Sequence, residues 1–509
     1  MKKNIHTIIY TIIAIFIVIL FIFFRYYNKN YYFISYGNYN ENTNILKRET
    51  NIKEIIKQYK NYDYIKIDKI NSEKKVNYNE LCSIIQKSNY NSFNYSISLN
   101  NNEINILKEE LLIYKIIDYT YNNINISNLN NYLTEKGYEY KFDSSDAITI
   151  INTNSLFYNK KNNKFEKENI DLNAIIFNSI NRLIAMEEDN GKFTYGYNII
   201  DGHELTSYNI LRHSGTVWSM IKYYQINPNE LLKNKIDTAI KYLISNIIIK
   251  NNNAYVVENK SNEIKLGGNA LALITLSEYL NIFNNNEYFE IAKKLANSII
   301  SMQNKDGSFT HVLNLDCSTK ENFRTVYYDG EATLALLKFY QVSNDIIYFS
   351  HSQTAIDYFI FNNYNRYHDH WISYTMIEYL KYDSRDKYIL FALNNYNLNK
   401  NQFNTNSFSP TKLELLTTVY QTYYDLKETN FSNKIILEFN INELKETINK
   451  ELNILLSFHL TNNLSIYYKN PDKIEGGFYN LNNNYRMRID DIQHALLGII
   501  NYQEIKRMY

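Results

Sequence analysis

The chain has 509 residues, 45 % of them hydrophobic, with 54 Lys and Arg against 53 Asp and Glu for a formal net charge of +1. That near-neutral balance excludes a nucleic-acid partner held by phosphate contacts, and two distant cysteines, Cys82 and Cys317, exclude a disulfide framework or a cysteine zinc site. The length admits one large helical domain and a smaller one.

In chain order, Ile8 to Phe24 is uncharged, with Lys2 and Lys3 before it and Arg25 and Lys29 after it. A helix of that length crosses roughly 30 Å of hydrocarbon. Phe23, Phe24, Arg25, Tyr26 and Tyr27 follow where a cleavable signal would place small residues, so residues 1–27 read as an uncleaved transmembrane anchor. Lys2, Lys3 and the free amine place the N-terminus inside and the body of the chain outside.

Residues 28–170 read as a small α/β or α+β domain. Apolar spacing predicts helices over Asn79 to Lys87 and Glu103 to Tyr121, and the run Ala147 to Tyr158 predicts a strand. No catalytic motif falls here. With only 13 Gly and 3 Pro and abundant Asn, Tyr, Ile and Lys, the composition reads as the bias of an AT-rich genome, and single asparagines are not taken as turns.

From residue 171 to 509 the pattern becomes one of long helices. Spacing predicts twelve, at 171–187, 207–224, 228–248, 267–283, 286–303, 329–342, 345–361, 370–381, 384–397, 411–427, 441–460 and 490–506, which make six hairpins. An internal repeat supports the pairing: Met186 to Thr194 aligns without gaps on Met302 to Thr310, with an echo at Glu475 to Phe478. Each ends a helix with a glycine turn and an aromatic that packs back. Helices led by Gly215, Gly268 and Gly330 also align, and Gln493 holds the glycine's place in a fourth. Units that cannot bury an apolar face alone bury it by stacking, so the expected domain is a mainly α, (α/α)6-type toroid.

On these residues, Gln303-x-x-x-Gly307-x-Phe309, its partner Glu187 to Phe193 and the glycine-led inner helices, the chain resembles the α/α-toroid group. That group comprises six-hairpin glycosidases, the N-acylglucosamine 2-epimerase type, the C-terminal domain of glucuronyl C5-epimerases and, more distantly, terpenoid cyclases, whose Asp-x-Asp-Asp motif is absent here. No single family's catalytic signature matches. The resemblance implies a carbohydrate-active enzyme, on a cell-envelope or extracellular glycan.

With the repeat as a ruler, Thr216, Asn269, Glu331 and His494 are equivalent positions near the starts of inner helices. Ionisable neighbours gather there: Arg212 and His213, Asp329, Asp490 and Asp491, and the run Arg366 to Trp371. Any one of the acids serves equally as a helix cap, and His213 equally as a core histidine; the clustering is what points to a site. Glu331 and Asp491, with Asp329 and Asp369 as substitutes, are the candidate carboxylate pair for glycoside hydrolysis. His213, His370 and His494 are the candidate bases for sugar epimerisation. Arg212, Asn269, Asp369, His370, Trp371, Tyr328 and Trp218 are candidate substrate contacts. A third alternative is a non-catalytic toroid that binds a glycan or an envelope-assembly partner. His368 and His370 alone do not make a zinc site, and both dinucleotide and phosphate-loop glycine motifs are missing, so no metal and no cofactor are expected.

Overall fold

The computed structural model describes residues 30–507, apart from 40–42, 88–94, 119–122, 160–163, 167–170, 259, 405–408, 430–432 and 481–482. The predicted anchor over residues 1–27 lies outside the described residues. Among the described residues, no helix is long and apolar enough to cross a membrane. Two compact units are present, one within the first 168 residues and one almost entirely within residues 169–509.

The first unit is built on an antiparallel sheet with strand order Asn44–Glu49, Tyr32–Gly37, Tyr64–Val76, Ile148–Asn159, Tyr95–Leu99, Ile104–Ile106, and with Lys164–Glu166 also paired to Ile148–Asn159. Alternation puts Ile34, Ile65 and Ile67 on one face, where Ile55 of the helix Ile52–Tyr59 packs. Phe33, Leu107 and Ile151 pack together in a second cluster. The helix Tyr78–Lys87 is where apolar spacing predicts one. The helix expected over Glu103 to Tyr121 is corrected: among the described residues of that range only Lys108–Ile113 is helical, between the strands Ile104–Ile106 and Ile117–Asp118. Asn100, Asn101 and Asn102 have left-handed backbone and turn the chain into that first strand, which β-branched Ile104 and Ile106 favour.

Asparagine does this work elsewhere too, contrary to its reading as compositional bias. Asn284 and Asn344 end helices in the left-handed conformation, the place glycine takes in most chains.

The second unit contains, among the described residues, twelve helices of ten residues or more. They are α1 (Leu172–Met186), α2 (Ile210–Ile226), α3 (Glu230–Ser245), α4 (Leu266–Phe283), α5 (Phe289–Ser301), α6 (Tyr327–Ser343), α7 (Ile346–Phe361), α8 (His370–Tyr379), α9 (Asp386–Asn397), α10 (Pro410–Thr429), α11 (Ile441–Leu456) and α12 (Ile489–Lys506). The even-numbered helices form a closed inner ring: each touches the next, and α12 touches α2. The odd-numbered helices pack outside them. Sequence decides which is which. In α4 every residue from Leu266 to Leu280 is buried, as a helix apolar on all sides must be, whereas α5 buries one stripe, Ala292, Leu295, Ala296, Ser298 and Ile299.

The repeated turn is reproduced bond for bond. Glu188 N donates to Lys192 O and Thr194 N to Met186 O, as Asn304 N does to Ser308 O and Thr310 N to Met302 O. Gly191 and Gly307 have φ of +85° and +98°, and each lies against the backbone of the outer helix that follows, at Thr238 and Thr354. The glycines of the aligned helices play another part than expected. Gly215, Gly268 and Gly330 sit within their helices rather than at the start. Short strands absent from the sequence reading link the loops before the inner helices: Gly196–Asn198 pairs with Arg486–Arg488, and a five-stranded sheet joins residues 247–265 to 312–321.

Gly307→Ala should destabilise the toroid by about 2 kcal/mol or more, from a left-handed φ plus overlap with a backbone carbonyl. Gly137→Ala, at φ +78° with open space around it, should cost only about 1 kcal/mol. Denaturant midpoints check both, and equal costs would contradict the packing role of the turn.

Candidate active site

At the N-terminal ends of the inner helices, polar side chains are seated in the seams of the ring. A Cβ on Gly267 of α4 would overlap Glu331 Oε2 of α6; one on Gly330 of α6 would lie 2.6 Å from Asp369 Oδ2, which caps α8; one on Gly215 of α2 would lie 2.6 Å from Gln493 Oε1 of α12. Missing side chains thus make room for carboxyl and amide groups at three of the six seams.

Glu331 is buried, and burial first, then the neighbouring Asp369, pushes its carboxyl well above the usual range, with Arg212 opposing. Asp369 accepts from Trp371 N at 2.9 Å through Oδ1 and is likewise pushed well up by burial. Asp329 is buried against His311 Nε2 (3.2 Å) and Tyr364 Oη (3.3 Å) and is also raised by burial. His311 accepts Arg324 N on Nδ1 at 2.9 Å, which fixes its Nε2 as the donor to Asp329. Burial thus shifts all three carboxyls toward the protonated form.

Two histidines meet beside Asp369. The rings of His370, the first residue of α8, and His494 of α12 stand edge to face, with centroids 5.2 Å apart. His494 Nδ1 donates to Glu414 Oε1 of α10 at 2.7 Å, and Tyr374 Oη donates to Glu414 Oε2 at 2.8 Å. Burial and the nearby His494 push His370 well below the ordinary histidine value. Burial acts on His494 too, but the Glu414 carboxylate outweighs it and holds His494 above that value. The two imidazoles are thus shifted in opposite directions, His370 toward the neutral form and His494 toward the charged one, an arrangement suited to acid–base work. Glu331 Oε2, Asp369 Oδ2, His370 Nε2 and Asp490 Oδ1 are buried without a protein partner.

His370, Glu414 and His494 also offer ligand atoms within 4.8 Å of one another, a donor set the sequence reading did not assemble. Within the trio Glu414 and His494 are hydrogen-bonded to one another, and His370 meets His494 by ring contact. At the rim, Arg212 bonds Asp490 at 2.9 Å and Tyr195 Oη at 2.5 Å. Tyr327, 47 % exposed, faces His370 with centroids 6.1 Å apart.

Several sequence candidates leave the site. His213 points outward from the ring: Nε2 donates to Ala239 O of α3 at 2.9 Å, Nδ1 accepts from Tyr208 Oη at 2.8 Å, and Phe193 and Tyr242 flank it. Burial pushes it down to about 4, and it is a core histidine. Asn269 is a structural tie, accepting Val256 N at 2.7 Å and reaching Met302 Sδ at 3.8 Å. Asp491 accepts the amide of Arg488 at 3.0 Å as a cap of its own helix, near Arg486, and does not oppose Glu331. Its neighbour Asp490 is the acid that meets Arg212. Trp218 and Trp371 are buried, with centroids 5.7 Å apart, so they form a floor to the lumen and not a rim. Tyr328 is packed over Gly267. Glu414 was missed because its helix carries none of the glycine frame; its one signal was a lone acid among Leu413, Leu415 and Leu416.

No protein-family model matches the chain, and comparison with curated proteins finds no match. Among solved structures it is similar to the cellobiose 2-epimerase from Bacillus thermoamylovorans B4167, at 14 % identity over 66 % of this chain and 99 % of that one, with a TM-score of 0.50. It is also similar to a sugar epimerase from a ruminal bacterium (11 %, 65 % and 98 %, 0.49) and to the GH76A α-1,6-mannanase from Salegentibacter sp. HEL1_6 (11 %, 66 % and 100 %, 0.48). At these identities the likeness is one of fold. The second unit of this chain is an α/α toroid of six helical hairpins.

Proposed function

We propose that the toroid is an enzyme that moves a proton at the carbon beside the carbonyl of a ring-opened sugar, the chemistry of sugar epimerases and isomerases. The observation that carries this reading is the contact of two imidazoles tuned in opposite directions at one end of the ring. Neutral His370 accepts the proton through Nε2 as the C–H bond breaks. Charged His494, braced by Glu414, gives a proton to the carbonyl oxygen, so that an enediol forms in place of an unstable carbanion. Return of the proton from His370 to C1, with the C2 hydroxyl proton passing to His494, gives the ketose; return to the other face of C2 after the enediol turns over, with the C1 hydroxyl proton passing to His494, gives the epimer. Arg212 at the rim supplies a donor for a sugar hydroxyl, and the fold it shares with a protein named as a cellobiose 2-epimerase is compatible with such a substrate.

Hydrolysis by paired carboxylates is the weaker reading. It needs an ionised carboxylate to activate water, whereas Glu331 and Asp369 are raised by burial, and Asp490 and Asp491 are engaged by Arg488 and its neighbours.

Incubation with reducing mono- and disaccharides in deuterated water should replace a carbon-bound hydrogen at C2 with deuterium, read by NMR; release of new reducing ends without exchange would establish hydrolysis instead. His370→Gln and His494→Asn should each slow exchange by roughly 100- to 10,000-fold with the fold intact.

Activity requires His370 unprotonated and His494 protonated. The rate should therefore rise as pH passes upward through the lowered pKa of His370 and fall as it passes through the raised pKa of His494. A profile without an alkaline limb would contradict the acid role of His494.

The uncharged run Ile8 to Phe24 supports a membrane-tethered form. The full chain is expected to pellet with membranes and to be released by deletion of residues 1–27; a full chain that stays in the supernatant contradicts the tether.

A further inference from the structure

Glu414 is fully buried, and its two oxygens are held from two helices: Oε1 by His494 of α12 and Oε2 by Tyr374 of α8. The Tyr374 hydroxyl accepts in turn from Asn501 Nδ2 at 2.9 Å. Asn501 lies seven residues after His494, two turns along the same face of α12. Tyr374 and Asn501 both line a cavity of about 140 Å³ within the ring, on the side of Glu414 away from the mouth. The four side chains form one bracket, tied to α12 at both ends and crossing α8 and α10 between. Nothing in the proposed proton transfer needs the lower half of it.

We infer that Tyr374 and Asn501 are positioning residues for His494: the Tyr374 hydroxyl, oriented by Asn501, pins the far oxygen of Glu414 so that the near oxygen stays on His494 Nδ1. A carboxylate with one donor can rotate about its last bond; one with a donor on each oxygen cannot without losing a bond in a dry interior. The second donor also stabilises the anionic form of Glu414, which keeps the shared proton on the imidazole. Without the hydroxyl, Oε2 is left buried and unpaired, the proton shifts toward Glu414, and His494 loses both orientation and charge. The other groups that face His494 are His370 from α8 and, on its own helix, Asp490 and Asp491, with Asp490 bound to Arg212 of α2. His370 meets the Tyr374 ring, with centroids 6.4 Å apart, but Tyr374→Phe keeps that ring, so loss of the hydroxyl acts on His494 through Glu414.

This inference rests on His494 as the acid of the proposed reaction, and its test has a readout that does not. The full chain with 15N-labelled histidine is titrated by NMR as wild type, as Tyr374→Phe and as Asn501→Ala. Tyr374→Phe keeps the ring against the cavity and should lower the His494 midpoint by about one pH unit, a tenfold change in proton affinity. Asn501→Ala should lower it in the same direction by less, and carries the test if Tyr374→Phe does not fold. With an exchanging sugar, Tyr374→Phe should lower kcat about tenfold, leave KM nearly unchanged and move the alkaline limb of the pH profile to lower pH. A His494 midpoint unmoved in the folded variants overturns the inference. Wild-type protein that exchanges no carbon-bound hydrogen overturns the proposed function, while the titration still decides the positioning role.

Discussion

The architecture depends on how six inner helices close into a ring at a radius that leaves polar groups in their seams. Closure requires near approach at the mouth, and glycine at 215, 267 and 330 permits it by giving Gln493, Glu331 and Asp369 the space a Cβ would occupy. A polar group in such a seam is shut off from water and tightly located at once. Its charge then depends on which few groups touch it, because little solvent remains to screen them. Burial raises all three carboxyls, Glu331, Asp369 and Glu414, but at Glu414 the facing imidazole of His494 opposes that rise.

The same constraint accounts for the contrast between the two histidines. His370 begins a helix, where the exposed N–H groups disfavour a cation, and the acid beside it in the chain, Asp369 at 3.6 Å, is itself pushed toward its neutral form. His494 lies farther along its helix and has an acid opposite. A ring that brings several helix starts to one rim provides many such pairings from a small set of residue types, and supports unrelated chemistries by exchanging them.

The ring was legible in the sequence because it repeats. Met186 to Thr194 and Met302 to Thr310 signal the same turn twice, and the alternation of all-apolar with one-sided helices separates inner from outer. Of the candidate site, Glu331, His494 and the mouth formed by Asp369 and His370 could be picked out because they share that frame. Glu414 stands on an inner helix without the glycine mark, and its partners are forty and eighty residues away, so no local pattern announced it. His213 misled for the converse reason: it follows Arg212 two residues before the marked glycine, yet successive residues of a helix point about 100° apart, and that rotation from Arg212 sends it outward to an aromatic cage. The choice of Asp491 over Asp490 failed by the same single-residue turn. The three-residue strands around the mouth are too short to show a period of two.

A crystal structure of the chain with an open-chain hexitol, a stand-in for the ring-opened sugar, tests the central claim most directly. The account places the polyol at the inner-helix mouth, with hydroxyls in hydrogen-bonding reach of His370 Nε2, His494 and Arg212. A polyol bound elsewhere, or a mouth that admits none at saturating concentration, would contradict it.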